Sequence, residues 1–291
     1  MGAEKRFKLR HDMSIEFSGV TLYRIEALQD LDTHYVKKGD VGGYIEKESN
    51  LGGNAWVFGN AQVFGNAMIS ENAHVYGSSL VFGNAKVFGN AQVFDNAQVF
   101  DNAKACSNAL VFGGAQVFGN ALVRGTAKVF GNANVFGDAQ VFGDTRVFDN
   151  ATIAGNSEVY GNARVFGHAV VRGDANVYEG AEVFDNALVS DNALVYGNAE
   201  VSGDARVYGN ADVSCDVIRS FGDCINIINT RYSITLTKNF IRIGCQLHTK
   251  EAWWRYKDRD ILMMDGKHGM TWWKKWKPIL MAICAEDEKG D

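Results

Sequence analysis

The sequence predicts an all-β solenoid, and three observations carry that prediction. From Leu51 to Ile218 the chain reads as 28 consecutive six-residue phrases without insertion or deletion, the best copies being Val57-Phe58-Gly59-Asn60-Ala61-Gln62 and Val117-Phe118-Gly119-Asn120-Ala121-Leu122. The first position is Val, Ile or Leu in 27 of 28 copies, Ala105 being the exception; the fifth is Ala in 24, the others being Ser79, Thr145, Ser157 and Val217. The chain has one proline, Pro278, and it lies outside the array, as stacked strands require, because proline removes a ladder hydrogen bond. Self-similarity at a fixed short period marks a stack of coils rather than one globular core.

Each part of the phrase has a physical role. Ala at the fifth position and Val at the next first position stand two residues apart, on the same side of a short strand. Gly-Asn, Asp-Asn and Gly-Asp at the third and fourth positions tolerate left-handed backbone angles and turn the chain. Asparagines at the fourth position stack coil on coil as amide ladders. Ile45 with residues 46–50 reads as one further, degenerate phrase.

A bare solenoid ends in unpaired strand edges, so both ends need covers. Residues 1–44 are read as an N-terminal β cap, with strands at Ser14–Phe17 and Thr21–Ile25 and an entry at Gly39–Tyr44. The repeat domain spans 45–218. Residues 219–291 are read as a small α+β cap, with strands at Cys224–Ile228, Tyr232–Thr237 and Phe240–Gly244. Thr249 N-caps a helix through Tyr256. A second helix runs over Met270–Cys284, where Trp272, Trp276, Ile279, Leu280 and Ile283 share one helical face.

Composition narrows the class. Residues 51–218 carry 16 acids and 8 bases, a balance of −8, whereas residues 219–291 carry 9 acids and 13 bases, a balance of +4. An acidic rod of this kind is not expected to bind nucleic acid along its length, which leaves the basic end open to such a partner. Five cysteines at irregular spacing suit reduced thiols better than a disulfide framework. Residues 1–10 lack the apolar run of a signal peptide, and no segment reaches the roughly 20 apolar residues of a membrane span. The expected compartment is the cytoplasm.

The six-residue grammar resembles the hexapeptide-repeat proteins. That resemblance implies a left-handed parallel β-helix with three phrases per triangular coil, so 28 phrases make about nine coils and a prism on the order of 45 Å long. Lys38-Gly39-Asp40-Val41-Gly42-Gly43-Tyr44-Ile45-Glu46, the Val-Phe-Gly-Asn-Ala array and Ile243-Gly244-Cys245-Gln246-Leu247-His248-Thr249 are similar to a group of such proteins common in phages and prophages. The resemblance implies a phage accessory protein, including one that blocks a host defence component, and supplies no catalytic residues. The wider superfamily includes acyltransferases whose active sites lie between subunits, which makes an acyltransferase the alternative.

The residues themselves offer little chemistry. No loop leaves the array, and its two histidines, His74 and His168, stand about five coils apart, too far to share a metal. Cys245 and His248, with Cys224, give too few ligands for a zinc motif and are read as cap packing. Cys106 stands where aromatics usually stand, with nothing charged placed to activate it. No catalytic residue, metal or cofactor is expected. Trp253, Trp254, Lys257, Trp273, Lys274 and Lys277 belong to basic-aromatic clusters that are read first as cap packing with the lysines as its wet face, and second as candidates for a small anionic ligand.

The second position of the phrase is the informative departure, being mostly Phe or Tyr. Sorted by face, one column holds eight consecutive aromatics: Phe58, Tyr76, Phe94, Phe112, Phe130, Phe148, Phe166 and Phe184. A second holds Phe64, Phe82, Phe100, Phe118 and Phe136, then loses them at Ala154, Arg172 and Ser190. The third has Phe142, Tyr160, Tyr178 and Tyr196. An eight-ring stripe is large for a monomer to leave exposed, and closed homo-oligomers bury such stripes. The expected function is a non-enzymatic homo-oligomeric scaffold or binding protein, a trimer by resemblance or else a dimer, that sequesters a host protein or small ligand.

Overall fold

The computed structural model describes residues 5–31, 36–220, 222–227 and 230–287. Residues 45–218 form a parallel β-solenoid with three sheets. Each rung is a two-residue strand made of the sixth position of one phrase and the first of the next, as in Gln92–Val93 and Leu110–Val111. Strands 18 residues apart pair in register, Gln92 beside Leu110 and Val93 beside Val111. The degenerate phrase adds a rung, with Tyr44 and Ile45 paired parallel to Gln62 and Val63, and the sheet of Trp56–Val57 counts 10 strands, hence about ten turns. We label each face by one of its rings: the Phe58, Phe64 and Phe142 faces, the last also carrying Phe88.

The interior is a column of first-position and fifth-position side chains. Val93, Ala97, Val99 and Ala103 have no exposed surface, and the pattern continues along the rod. Small Ala at the corners and Val along the sides fill a narrow triangle at interior density. Where a hydroxyl replaces Ala it satisfies itself locally: Ser79, Thr145 and Ser157 donate to the carbonyls of Tyr76, Phe142 and Ala154 at 2.8, 2.7 and 2.8 Å.

The corners explain the glycines. At most turns the fifth-position amide bonds the second-position carbonyl, as Ala61 does to Phe58 at 3.2 Å. The residue between them takes positive φ, +60° at Gly53, where a Cβ would also lie 2.6 Å from the Glu71 amide nitrogen. Asp191 adopts the same angle, φ 59°, and its carboxylate accepts from the Gly209 amide one coil on at 2.9 Å. The asparagine ladder exists: Asn66, Asn84, Asn102, Asn120 and Asp138 link in series at 2.9–3.2 Å.

The last phrase departs from the expected register. Val217 pairs with Glu200 and Ile218 with Val201, so the step from Val213 to Ile218 is five residues and the array ends in a one-residue deletion. Ile218 is fully buried, Val217 points outward at 38% exposure, and Asp216 takes the interior place that Ala holds elsewhere.

The N-terminal cap is a hairpin of Phe7–Phe17 and Val20–Ala27, whose second strand pairs antiparallel with Val41–Ile45. The hairpin therefore extends the Phe64 face. Phe17 packs edge-on against Phe64, with ring centres 5.7 Å apart. Arg24 lies 4.3 Å over Tyr44 and donates to the carbonyls of Gly42 and Gly59.

The C-terminal cap is a four-stranded antiparallel sheet, Ile225–Ile227, Ile234–Leu236, Phe240–Ile243 and Gln246–Thr249, followed by helices. Ile228, the end of one expected strand, lies outside the described residues, and the fourth strand was not anticipated. Thr249 caps Lys250–Arg255, its hydroxyl accepting from the Ala252 amide at 3.1 Å. The second helix begins earlier than expected, at Asp258, and breaks at Asp265–Gly266, where Gly266 has φ 65°. Its buried face is also rotated from the expected one. Trp273, Leu280 and Cys284 are buried, while Ile279 is 41% exposed.

Candidate functional site

All three aromatic columns stack as ladders. Along the Phe58 face, ring centres from Tyr76 to Phe184 are 4.7–5.0 Å apart with planes within 5° of parallel. The Phe64 face stacks from Phe64 to Phe136 at 4.8–5.1 Å, and the Phe142 face from Phe142 to Tyr196 at 4.9 Å. Stacking follows from the coil rise, since in-register strands repeat at roughly 4.8 Å. Each ring is half-buried by its neighbours, so what the rod presents is a strip of ring edges. The caps close two of these ladders. Phe17 meets the first ring of the Phe64 face. Arg242 donates to the Tyr196 hydroxyl at 2.6 Å at the end of the Phe142 face. The Phe58 ladder is the longest and ends in Ser202 and Arg219.

The Phe142 ladder has cations at both ends, with Arg124 4.2 Å over Phe142 and Arg242 6.0 Å from the Tyr196 ring centre. Arg242 also pairs with Asp212 at 3.1 Å. Burial raises the Asp212 carboxyl despite that cation. It also pushes Tyr178 up to about 12, keeping its hydroxyl neutral. Asp216 accepts from the Thr237 hydroxyl and, at 2.9 Å, from Asn239. These contacts fasten the terminal sheet to the last coil.

Beside the Phe58 ladder runs a column of sixth-position side chains that inspection of the aromatics alone missed. In pairing order it reads Trp56, His74, Gln92, Leu110, Lys128, Arg146, Arg164, Glu182, Glu200 and Val217. Three cations therefore stack directly on one another and two anions follow. Arg164 pairs with Glu182 at 2.6 Å. Arg146 and Glu200 are exposed and have no ion-pair partner among the described residues. The corner beside the cations, lined by Asn108, Thr126, Asp144 and Asn162, forms with them a shallow groove of about 770 Å³. Sorting sixth positions by face would have revealed this column in the sequence.

The basic-aromatic clusters are drawn into the cap. Trp253 and Trp273 are 3% exposed, and the Trp253 indole donates to the Ile241 carbonyl at 2.6 Å. Lys274 pairs with Asp258 at 2.7 Å, and Lys277 donates to the Trp254 carbonyl at 2.8 Å. Lys257 is exposed. A cavity of about 120 Å³ opens beside Trp253, Trp272 and Trp273; its charged wall residue is Asp265, which accepts from the Tyr232 hydroxyl.

The histidines and cysteines stay apart. His74 packs against Phe58, ring centres 5.8 Å apart, and His168 is an exposed corner residue. Cys224 is buried and pushed up to about 12 by that burial, while Cys245 is exposed. His248 contacts the Tyr256 hydroxyl at 3.1 Å and is lowered by burial. Among the described residues no three His, Cys, Asp or Glu side chains converge as metal ligands. For Cys106 the expectation needs one correction: Arg124, one rung along, does act to lower its thiol, but burial is the larger effect and raises it. No helix among the described residues is long and apolar enough to cross a membrane.

The chain is a hexapeptide-repeat-like parallel β-solenoid. A family described as the YdcK beta solenoid repeat matches residues 61–77, about one coil of the array. No curated protein matches the chain.

Proposed function

We propose that this protein is a non-enzymatic, homo-oligomeric solenoid that serves as a scaffold or binding module, with the Phe58 face as its self-association seam. The supporting observation is the eight-rung column from Phe58 to Phe184, the longest of the three, beside which three cations and two anions follow on consecutive rungs. A trimer is favoured by the family resemblance, and a dimer fits the same seam. The resemblance to phage and prophage proteins extends the reading to a phage accessory protein acting in the host cytoplasm. There it inhibits a defence component by sequestering a protein or a small anionic ligand. The place proposed for a small anionic ligand is the cap surface at exposed Lys257 and half-buried Trp254, outside the buried Trp253 and Trp273.

The experiment is native mass spectrometry of protein purified directly from expressing cells. It reports stoichiometry and any retained molecule together. A dimer or trimer supports the reading, and a bare monomer at micromolar concentration overturns it. A co-purifying acyl donor would favour the acyltransferase alternative.

A further inference from the structure

We infer that the Phe58 face docks antiparallel on a second copy of the chain, with a twofold axis lying along the strand direction between the rungs of Arg164 and Glu182. The inference rests on the self-association reading above and adds orientation, register and the residues that set them.

Two twofold arrangements bring this face against itself. An axis parallel to the rod keeps each rung at its own level but exchanges the two sides of the strand. The charged sixth-position column then lies over the partner's second-position column, and Glu182 and Glu200 face rings and Ser202 with no cation to meet. An axis along the strands does the opposite. Each column lies on its own copy, and the order of rungs is inverted. Isologous contacts of this second kind need a surface that is complementary to its own reversal.

The sixth-position column has that property. Reading outward from the proposed axis, Arg164 meets the partner's Glu182, and Arg146 meets the partner's Glu200. The neighbouring column follows the same reversal: Phe166 meets the partner's Phe184, Phe148 the partner's Ser202, and Phe130 the partner's Arg219, a cation over a ring, so this register covers the far half of the aromatic column and leaves Phe58, Tyr76, Phe94 and Phe112 beyond the partner's last rung. Within one chain the arrangement is unfavourable, because Lys128, Arg146 and Arg164 are directly opposed like charges in register. Arg164 has Glu182 as relief. Among the described residues Arg146 and Glu200 have none, and they stand three coils, or roughly 14 Å, apart. A charge column whose period is the coil rise is matched best by another column of the same rise, and a second copy supplies one.

The test is a charge exchange in the full-length protein, using Arg146→Glu, Glu200→Arg and the double variant, with association measured by sedimentation equilibrium. The carboxylate introduced by Arg146→Glu would sit between Lys128 and Arg164, and the guanidinium introduced by Glu200→Arg beside Glu182. Neither single variant therefore burdens the monomer, and both should melt at or above the native temperature. Association should nevertheless weaken on the order of tenfold in each single variant, as two symmetry-related ion pairs are lost. The double variant should return to within about threefold of the native constant. That rescue has to be intermolecular, given the separation within one chain. A native oligomer whose single variants associate normally, or whose double variant is as weak as the sum of the singles, overturns the antiparallel register while leaving self-association standing. A native protein that is monomeric throughout overturns both.

Discussion

Replacing Asp216 by Ala tests how the terminal sheet is held on the rod. The substitution restores the residue that the repeat grammar places at this interior site, so by packing alone it should be neutral. Asp216 is 3% exposed, and its carboxylate accepts from Thr237 and Asn239. Hydrogen bonds to an ionised acceptor contribute about 1.5–3 kcal/mol each, an upper figure of about 3–6 kcal/mol for the two. Two features reduce it. The Thr237 hydroxyl keeps its contacts with Phe240 at 3.2 and 3.3 Å, and the exposed Asn239 can return to water. The expected loss is about 2–3 kcal/mol, and Asp216→Asn, which keeps an acceptor, should lose about 1 kcal/mol.

Because each coil of a solenoid contacts only its neighbours, the damage should be local. Hydrogen exchange should quicken at Val195–Ile218 and in the terminal sheet, and stay unchanged at Val63–Val99. Denaturant unfolding followed by tryptophan fluorescence reads the cap, which holds Trp253, Trp254, Trp272, Trp273 and Trp276. An Ala variant with unchanged or raised midpoint and unaltered exchange would refute the reasoning. Asp216 would then be a buried charge whose desolvation outweighs its hydrogen bonds.

Two further outcomes follow from groups at the caps and from the thiols. Asp12, held by Arg10, sits at about 2 against an ordinary 3.8, and Glu26 is lowered by Lys8 and Arg10. A lowered carboxyl stabilises above its unfolded value and loses that contribution as pH falls through the folded one, so the 7–27 hairpin should fray between about pH 4 and 2 while the rod stays protected. Hydrogen exchange at pH 5 and pH 2 checks this, and equal protection of the hairpin at both would contradict it. In a thiol titration of native protein at pH 8, exposed Cys215 and Cys245 should react quickly, and buried Cys106, Cys224 and Cys284 only on unfolding. Fast labelling of Cys106 would show that Arg124 prevails over burial.

How much of this was legible in the sequence depends on how far each feature is fixed by local pattern. The rungs, the corner glycines and the inward Val and Ala were readable because a period of six ties each residue to a fixed place in the coil. The end of the array was not. Val213-Ser214-Cys215-Asp216-Val217-Ile218 satisfies the apolar grammar in two registers, and only pairing with Glu200 and Val201 decides that Val217 faces outward. The missing Gly-Asn corner in that phrase was the signal to notice. In the cap, the Asp265-Gly266 break could have been read from the dipeptide. The rotated face from Trp273 to Cys284 could not, since both Trp272 and Trp273 stand in a helical apolar run and tertiary packing selects between them. The charge column beside the Phe58 ladder was readable by sorting sixth positions, which share the same 18-residue repeat.

The central claim is that the Phe58 face is the seam, and its most direct measurement is sedimentation velocity of a variant with Phe130, Phe148, Phe166 and Phe184 changed to Ser. These rings are already half-buried by stacking, so each adds about 1 kcal/mol to association rather than the 1.5–3 kcal/mol of a fully buried side chain. Four such losses per protomer weaken self-association at least 10³-fold, by the roughly 1.4 kcal/mol per decade of an equilibrium constant. The account predicts that this variant sediments as a β-rich monomer, its Val-Ala core untouched, while a control changed at Phe64, Phe82 and Phe100 keeps the native oligomer. An unchanged oligomer in the first variant, or dissociation in the control alone, would contradict it.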